Sequence, residues 1–244
     1  MRVLLVEEDI EVGEGLVTAL EDEKYRTDWV RDASEGRRAL DSTVHTVALV
    51  DIGVHGGGVD LIRRPLLAGS SVPVLVISAS DDPGKRIEAL DAGAADFITT
   101  PLHVKELIAR IHAVVRRKAG YASSKMVSGR VTLDLKSRVL SFCGRSSTLA
   151  TGEFCMMQRF FEHPGAIVSR EELQKRLYGW NTEVENNAVD VLIFTLRRKF
   201  GSGLIRNVRG LGWALGETEA RDVPHPHRSV ADAPENPFHA RHSA

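Results

Sequence analysis

Acidic and hydroxyl side chains follow three separate apolar runs of this chain. Glu8 and Asp9 come after VLLV, Asp51 follows VALV, and Ser78 follows VPVLVI. If these runs are parallel strands of one sheet, all these side chains emerge at its carboxyl edge, where open α/β sheets place their ligand sites. Carboxylates gathered there repel one another unless a hard cation such as Mg²⁺ lies between them. The predicted chemistry is Mg²⁺-assisted phosphorylation of Asp51, with Ser78 holding a phosphoryl oxygen.

The elements that must position these residues alternate along residues 1–118. Short β-rich runs are separated by stretches long enough for crossover helices, and residues 104–118 show apolar side chains at helical spacing. This alternation predicts a flavodoxin-like, doubly wound α/β domain with a five-stranded parallel sheet. The predicted strands are residues 3–6, 27–30, 47–50, 72–77 and 96–99.

The pattern changes after residue 118. Residues 119–125 are small and polar, which is typical of a linker. Residues 126–216 show alternating strand-like runs, three helical segments and a basic hairpin, an order that predicts an α+β winged helix-turn-helix domain. Residues 217–244 lack periodicity and are rich in His and Pro, so we expect this tail to be disordered.

The formal net charge of -1 hides an uneven distribution of charge. Acidic residues exceed basic ones by five in residues 1–123, whereas Lys and Arg exceed Asp and Glu by six in residues 124–216. A basic second half makes nucleic acid the natural candidate for its partner. The two cysteines form no metal-binding motif, and no stretch of the chain resembles a membrane span or an export leader. We therefore expect a cytoplasmic protein with reduced thiols.

Motifs along nearly the whole chain resemble the OmpR/PhoB family of winged-helix response regulators, and most closely its QseB/PmrA-like branch. The motifs are LLVEEDIEVGEGL, VALVDIG, VLVISA, AGAADFITTPLHVKEL, SREELQKRLYGW and NNAVDVLIFTLRRKFG. The resemblance implies a transcription regulator rather than an enzyme. A sensor histidine kinase would phosphorylate Asp51, and the protein would bind tandem promoter half-sites as a homodimer, with RNA polymerase as a further candidate partner.

The resemblance also implies roles for individual residues of the receiver. The implied Mg²⁺ ligands are Glu8, Asp9, Asp51 and the backbone carbonyl of Gly53. Ser78 would donate a hydrogen bond to a phosphoryl oxygen, and Phe97 matches the aromatic switch that moves inward after phosphorylation. The chain departs from the family at Thr100, where relatives carry a phosphate-contacting lysine. A hydroxyl donates one neutral hydrogen bond, but it does not offset charge as an ammonium does.

Two other classes of function remain open. The Thr100 substitution favours a phosphorylation-independent regulator that is controlled by protein contact or by concentration, and a measurement of phosphate incorporation would separate the two. An α/β domain of this size is also compatible with an enzyme that binds a nucleotide or a flavin. No G-x-G-x-x-G or P-loop sequence follows any predicted strand, which argues against that enzyme.

Active receivers of this family pair through the face formed by their fourth helix, fifth strand and fifth helix. The charged positions that match this face are Arg86, Asp91, Asp96, Glu106, Arg110 and His112. We expect two kinds of intermolecular ion pair, one between Arg86 and Glu106 and one between Asp96 and Arg110. Exposed pairs contribute only about 0–1 kcal/mol each, so they would select the partner and its register more than they supply affinity.

The third helix of the basic half is predicted over about residues 187–200, with an apolar stripe that faces the core. The opposite face carries Asn187, Val191, Phe194, Thr195 and Arg198, and this face would enter the major groove. Asn187 and Arg198 would read base edges, whereas Val191 and the Thr195 methyl group would contact thymine methyl groups. The alternative for the exposed Phe194 is that it packs against a protein surface instead of DNA.

Basic side chains around this helix are candidates for contacts with DNA phosphates. They are Arg170, Lys175, Arg176, Arg197 and Lys199. Arg209 lies at the tip of the predicted hairpin, where it would enter an adjacent minor groove.

Overall fold

The computed structural model describes residues 1–42, 44–67, 72–179 and 187–216, and of residues 64–67 it describes the backbone alone. The elements of the first half are β1 (Arg2–Val6), α1 (Ile10–Asp22), β2 (Arg26–Val30), α2 (Ala33–Asp41), β3 (Val47–Asp51), α3 (Gly58–Leu67), β4 (Val74–Ser78), α4 (Pro83–Asp91), β5 (Asp96–Thr99) and α5 (Val104–Lys118). The five strands are parallel and lie in the order β2-β1-β3-β4-β5. This topology confirms the predicted doubly wound α/β fold.

The inner strands β1, β3 and β4 form from nearly continuous apolar runs because both faces of the sheet are covered there. Every residue of β1 is buried. Leu5 packs on one face with Leu16 of α1 and Ile111 of α5, whereas Val6 packs on the other face with Leu61 of α3. A strand that is buried on both faces carries apolar residues at every position.

The strand register brings the candidate site residues to one edge of the sheet. Asp51 is the last residue of β3, and Ser78 is the last residue of β4, opposite Thr99. β4 begins at Val74, later than the predicted start at residue 72. The reason is Pro73, which has no N–H group to donate to the ladder.

The second half contains β6 (Lys125–Ser128), β7 (Val131–Asp134), β8 (Val139–Phe142), β9 (Arg145–Thr148), α6 (Thr151–Glu162), α7 (Arg170–Tyr178), α8 (Ala188–Phe200), β10 (Ile205–Val208) and β11 (Gly212–Leu215). The first four of these strands form an antiparallel sheet, and the last two form the hairpin. This order confirms the predicted α+β winged helix-turn-helix fold. No helix within the described ranges is long and apolar enough to cross a bilayer. The tail predicted to be disordered, residues 217–244, lies outside the described residues.

The hairpin is tied to the helices by one backbone bridge. Val168 donates a hydrogen bond to the Trp213 carbonyl at 2.7 Å and accepts one from the Trp213 amide at 3.0 Å. Gly212 has a φ of +138°, and a Cβ atom there would lie 2.2 Å from the Val168 carbonyl oxygen. Glycine is therefore the residue that lets the hairpin approach α7 this closely.

The two halves of the chain pack together at the amino edge of the parallel sheet, which is the edge opposite Asp51. Arg26 donates to the Leu177 carbonyl at 2.6 Å, and Arg2 donates to the carbonyls of Leu177 and Tyr178 at 3.4 Å each. These carbonyls lie at the carboxyl end of α7, where a helix leaves its acceptors unsatisfied. Arginines of the first half therefore satisfy a helix end of the second half.

Asp28 holds one of these arginines in place. Its two carboxylate oxygens accept from the Arg2 guanidinium at 2.6 Å each, and His45 lies 2.8 Å from one of them. Burial raises the pKa of Asp28. The hydrogen bonds from His45 and Arg2 together have a larger opposite effect and lower this pKa to about 2.

Arg176 belongs to this interface, so the expectation that it contacts a DNA phosphate is wrong. Its side chain is 2% exposed, it donates to the Val44 carbonyl at 2.6 Å, and it forms an ion pair with Glu162. The burial of Arg176 depends on a contact between α7 and Val44, which is remote in sequence. The helical periodicity of α7 does not predict such a contact.

Candidate functional site

Asp51 lies half-buried at the carboxyl end of β3, where its Oδ1 accepts a hydrogen bond from the Gly53 amide at 3.2 Å. Gly53 approaches this carboxylate closely, because a Cβ atom there would lie 3.1 Å from Oδ2 of Asp51. Burial raises the pKa of Asp51, and the charge of Glu8 raises it further against the opposing Gly53 hydrogen bond. A partly desolvated carboxylate beside a like charge favours the binding of a cation.

Glu7 belongs to the same acidic cluster, although the sequence analysis did not identify it. The register that pairs Val6 with Val50 places Glu7 beside Asp51 on the neighbouring strand. Glu7 is buried, and this burial raises its pKa, as does the charge of Asp51. A signal for Glu7 exists in the sequence, because it and Asp51 each follow an apolar run directly.

Asp9 has a role that differs from the predicted one. Its Oδ1 accepts a hydrogen bond from the Val12 amide at 3.0 Å, so the side chain caps α1. The acid whose charge acts on Asp51 is Glu8, and one of its carboxylate oxygens accepts from the His55 amide at 3.0 Å. We therefore reassign Asp9 from metal ligand to helix cap.

The remaining oxygen ligands suit Mg²⁺. Within residues 1–42, 44–67, 72–179 and 187–216, no three carboxylate, imidazole or thiol groups are close enough to enclose a metal ion. Mg²⁺ does not require such a cage, because it takes one or two carboxylates and keeps several waters. Glu8 and Asp51 offer this smaller set beside the backbone carbonyl of Gly53, and a cation there would offset the mutual repulsion that raises the pKa of Asp51.

Ser78 ends β4, and Thr100 directly follows β5, on the side of the sheet beyond Asp51. The Ser78 side chain is 2% exposed, and its Oγ accepts from the Ser80 amide at 3.1 Å, which leaves the hydroxyl proton free to be donated. Thr100 donates its amide to the Ser78 carbonyl at 2.9 Å. These two hydroxyl residues therefore border the same end of the sheet as Asp51.

Phe97 is already inside the protein. Its side chain is 7% exposed, and the guanidinium carbon of Arg86 lies 5.3 Å from the ring centre. The resemblance implied a ring that moves inward after phosphorylation. In this structure the ring is buried beforehand, so an inward movement is not needed to bury it.

The charged residues of the α4-β5-α5 face form ion pairs within this chain, and the expected intermolecular pairs stay a prediction. Arg110 bonds to Asp96 at 3.0 Å and to Glu106 at 2.8 Å, and Arg86 bonds to Asp81 at 3.1 Å. Asp91 is exposed and keeps its predicted place on the face. The sequence analysis missed the exposed apolar residues of α4, which are Ile87 and Leu90.

His112 does not belong to that face. It lies in a cleft of about 570 Å³ between the two halves of the chain, where its Nε2 is 2.7 Å from the Tyr25 hydroxyl. Burial, and to a smaller extent the charge of Arg138, lower the pKa of His112 to about 4. The ring is therefore neutral at physiological pH and contributes no charge to a dimer.

The burial of His112 predicts a specific pH dependence of stability. The unfolded chain binds this proton near pH 6.5, whereas the folded chain resists it until about pH 4, so the stabilisation is complete above pH 6.5 and is lost as the pH falls through that range. In His112→Gln, which keeps a hydrogen-bonding group beside Tyr25, the urea midpoint should vary less between pH 6.5 and 4 than in the wild type. An equal pH dependence of the two proteins would contradict this assignment.

The exposed face of α8 carries the residues predicted to read DNA. Val189, Ile193, Leu196 and Phe200 are buried, whereas Val191 is 59% and Phe194 is 64% exposed. Asn187 and Arg198 are also exposed. The Thr195 hydroxyl donates to the Val191 carbonyl at 2.8 Å, so this hydroxyl is satisfied within the helix.

Two basic residues of α8 are held within the domain, which argues against their predicted role at DNA phosphates. Arg197 donates two hydrogen bonds to the Ile205 carbonyl, at 3.1 and 2.8 Å. Lys199 lies 2.7 Å from Glu153, whose side chain is buried. We therefore assign Arg197 and Lys199 to positioning α8.

Arg170 is held by contacts within the domain, whereas Arg209 is exposed to solvent. Arg170 donates two hydrogen bonds to Asp190, at 2.6 and 2.9 Å, and its guanidinium lies over the Trp213 ring, so it links α7, α8 and the hairpin. Lys175 bonds to Glu171 one turn away. Arg209 is exposed in the turn between β10 and β11.

Both halves of the chain match known families. Residues 3–112 match the family described as "Response regulator receiver domain", and residues 144–215 match the family described as "Transcriptional regulatory protein, C terminal". The response regulator protein PmrA of Pseudomonas aeruginosa is 36% identical over 218 residues, which cover 89% of this chain and 99% of that protein. The transcriptional regulatory protein QseB of Escherichia coli O157:H7 is also 36% identical over 218 residues, which cover 89% of this chain and 100% of that protein.

Solved structures of receivers and of longer regulators also resemble this chain. The Francisella response regulator 1452 receiver domain is 25% identical, with a TM-score of 0.45, over 48% of this chain and 97% of that one. The response regulator DrrB of Thermotoga maritima is 19% identical, with a TM-score of 0.43, over 88% of this chain and 99% of that one. The relatives PmrA and QseB are regulators, not enzymes. Together with the two family matches, they show that this chain belongs to the response regulators that join a receiver domain to an OmpR/PhoB-type DNA-binding domain.

Proposed function

We propose that a sensor histidine kinase donates a phosphoryl group to Asp51, and that the phosphorylated chain binds tandem promoter half-sites as a homodimer. The observation that carries this proposal is the parallel register of β1 and β3, which sets Glu7 beside Asp51, with Glu8 next along the chain. An acidic cluster at this edge supplies both a carboxylate nucleophile and oxygen ligands for a cation.

The proposed transfer is a displacement at phosphorus. One carboxylate oxygen of Asp51 attacks the phosphorus atom while the phosphorus–nitrogen bond to the kinase histidine breaks, and the histidine takes up a proton as it leaves. Mg²⁺ bound by Glu8, Asp51 and the Gly53 carbonyl would offset the charge on the phosphoryl oxygens. Ser78 donates its hydroxyl proton to one of these oxygens, since its own acceptor site is used by the Ser80 amide.

The DNA-binding part of the proposal rests on the exposed face of α8. Asn187 and Arg198 are exposed polar groups that suit base edges in the major groove, and the Val191 side chain suits a thymine methyl group. Because the Thr195 hydroxyl is satisfied within the helix, Thr195 offers its methyl group to DNA. Arg209 at the hairpin turn suits an adjacent minor groove.

The dimer part of the proposal rests on the α4-β5-α5 face. Its exposed apolar residues, Ile87 and Leu90, would be covered in a symmetric dimer, and burial of apolar surface supplies affinity. Asp91 and Glu106 are exposed beside them and would select the partner and its register.

Alanine substitutions should separate base reading from phosphate attraction. We expect Asn187→Ala and Arg198→Ala to weaken binding to the preferred site by about 1–3 kcal/mol each, with a much smaller effect on random DNA, because base-edge contacts form only on a matching sequence. Arg209→Ala should weaken binding to all sequences and lower the salt dependence. Titrations of the full chain against cognate and scrambled duplexes at several salt concentrations measure both effects.

A matched control for these variants is Lys136→Ala, because Lys136 is an exposed cation in the turn between β7 and β8 and has no assigned role in DNA binding. Its binding should equal that of the wild type on both duplexes. If the Asn187 and Arg198 variants keep full discrimination between cognate and scrambled DNA, the assignment of this face to the major groove is wrong.

The second candidate function is a transcription regulator that binds DNA independently of phosphate. The observation that favours it is Thr100, which presents a neutral hydroxyl at the end of the sheet beside Ser78. The two functions differ in whether a phosphoryl donor changes DNA affinity through Asp51.

A further inference from the structure

A phosphoryl group on Asp51 adds negative charge to a cluster that already contains Glu7 and Glu8. Mg²⁺ offsets part of this charge, and a cationic side chain would offset more of it. Thr100 at the end of β5 does not supply such a charge. A second cation for a phosphoryl group on Asp51 would have to come from another element at this edge of the sheet.

The first turn of α4 lies at this edge. β4 lies between β3 and β5 in the sheet, so the loop that follows β4 runs between the strand ends that carry Asp51 and Thr100. Asp82 caps α4 by accepting from the Gly84 amide at 2.9 Å, which fixes the first turn and Lys85 within it.

Lys85 is the available cation of this turn. Its neighbour Arg86 is engaged with Asp81 and with the Phe97 ring. Lys85 is exposed, and within the part of the chain that the structure describes it forms no ion pair. Burial is the largest effect on the pKa of Asp51 and raises it, as does the charge of Glu8, whereas the charge of Lys85 lowers this pKa.

We propose that Lys85 contacts the phosphoryl group on Asp51 and supplies the positive charge that Thr100 does not. The inference rests on the proposed function, in which Asp51 is phosphorylated. An ammonium on a long, flexible side chain donates charge-assisted hydrogen bonds to phosphoryl oxygens. Because Lys85 lies on α4, its contact with the phosphoryl group links phosphorylation directly to the helix that carries Ile87 and Leu90 of the dimer face.

The test compares rates of phosphoryl incorporation in the full chain. Wild type, Lys85→Gln, Lys85→Arg and Lys85→Gln/Thr100→Lys are incubated with acetyl phosphate and saturating Mg²⁺, and incorporation is followed by intact mass. Lys85→Gln should react about tenfold or more slowly, because a charge-assisted contact is lost. Lys85→Arg should keep most of the rate, and the double variant should regain it from position 100. The control Lys105→Gln removes an exposed lysine from the first turn of α5 and should react like the wild type.

An unchanged rate in Lys85→Gln would overturn the inference while leaving the proposed function intact. A Lys85→Arg variant as slow as Lys85→Gln, together with a double variant that does not recover, would also overturn it, because charge at the phosphoryl group would then not be the cause. A wild-type chain that takes no phosphoryl group on Asp51 would refute the proposed function and the inference together.

Discussion

Asp51→Asn is expected to abolish phosphoryl incorporation. An amide oxygen is a far weaker nucleophile than a carboxylate, and a neutral side chain also removes one ligand from the cation at this edge of the sheet. Incubation of the full chain with acetyl phosphate and Mg²⁺, followed by intact-mass measurement, should show one added phosphoryl group on the wild type. The Asn variant should show none.

The matched control is Asp60→Asn, which changes an exposed aspartate in the first turn of α3, the helix that follows Asp51. Its incorporation should equal that of the wild type. Continued incorporation in Asp51→Asn would move the acceptor to another residue, with Glu7 and Glu8 as the nearest carboxylates to examine. Lack of incorporation in the wild type even at high donor concentration would refute the proposed phosphorylation of Asp51.

Arg176→Ala is expected to lower the free energy of unfolding by about 3–5 kcal/mol, which is the cost of removing one partner of a buried ion pair. The substitution leaves the buried Glu162 carboxylate without its partner and the Val44 carbonyl without its donor. Urea denaturation followed by tryptophan fluorescence measures the loss. Lys175→Ala, a change at the adjacent exposed position, should leave stability nearly unchanged.

A second variant separates the ion pair from simple loss of packing. Replacing both Arg176 and Glu162 by Met removes both charges and keeps apolar volume, so it should destabilise the protein less than Arg176→Ala alone. An Arg176→Ala variant as stable as the wild type would show that the contact between α7 and the amino edge of the receiver sheet does not persist in solution.

The sequence predicted β1, β3 and β4 well because these inner strands are buried on both faces and are therefore largely apolar. It predicted the site less completely. The apolar run before Glu7 located the end of β1, but three consecutive acids follow it, and the choice among them depends on which carboxylate faces Asp51 and which caps α1. The direction of a side chain at a strand end depends on the register with the neighbouring strand. The sequence of a single apolar run does not give that register.

The roles of the basic residues in the second half were also predicted incompletely from the sequence. Arg176 and Arg198 look alike in sequence as cations on amphipathic helices, yet Arg176 is buried against the receiver and Arg198 is exposed. His112 likewise occupies a position on a charged helix but turns into the cleft beside Tyr25. These differences arise from packing between the two halves of the chain. Helical periodicity within one half does not predict that packing.

One titration tests most directly whether phosphorylation of Asp51 controls DNA binding. The anisotropy of a labelled duplex with two tandem half-sites is followed as the full chain is added, with and without acetyl phosphate and Mg²⁺, for the wild type and for Asp51→Asn. Phosphorylation should raise the affinity of the wild type by about tenfold, within the usual range of coupling between two sites, and should leave Asp51→Asn unchanged. Equal affinity of the wild type with and without the donor, despite full incorporation at Asp51, would contradict phosphate control and favour the phosphorylation-independent regulator.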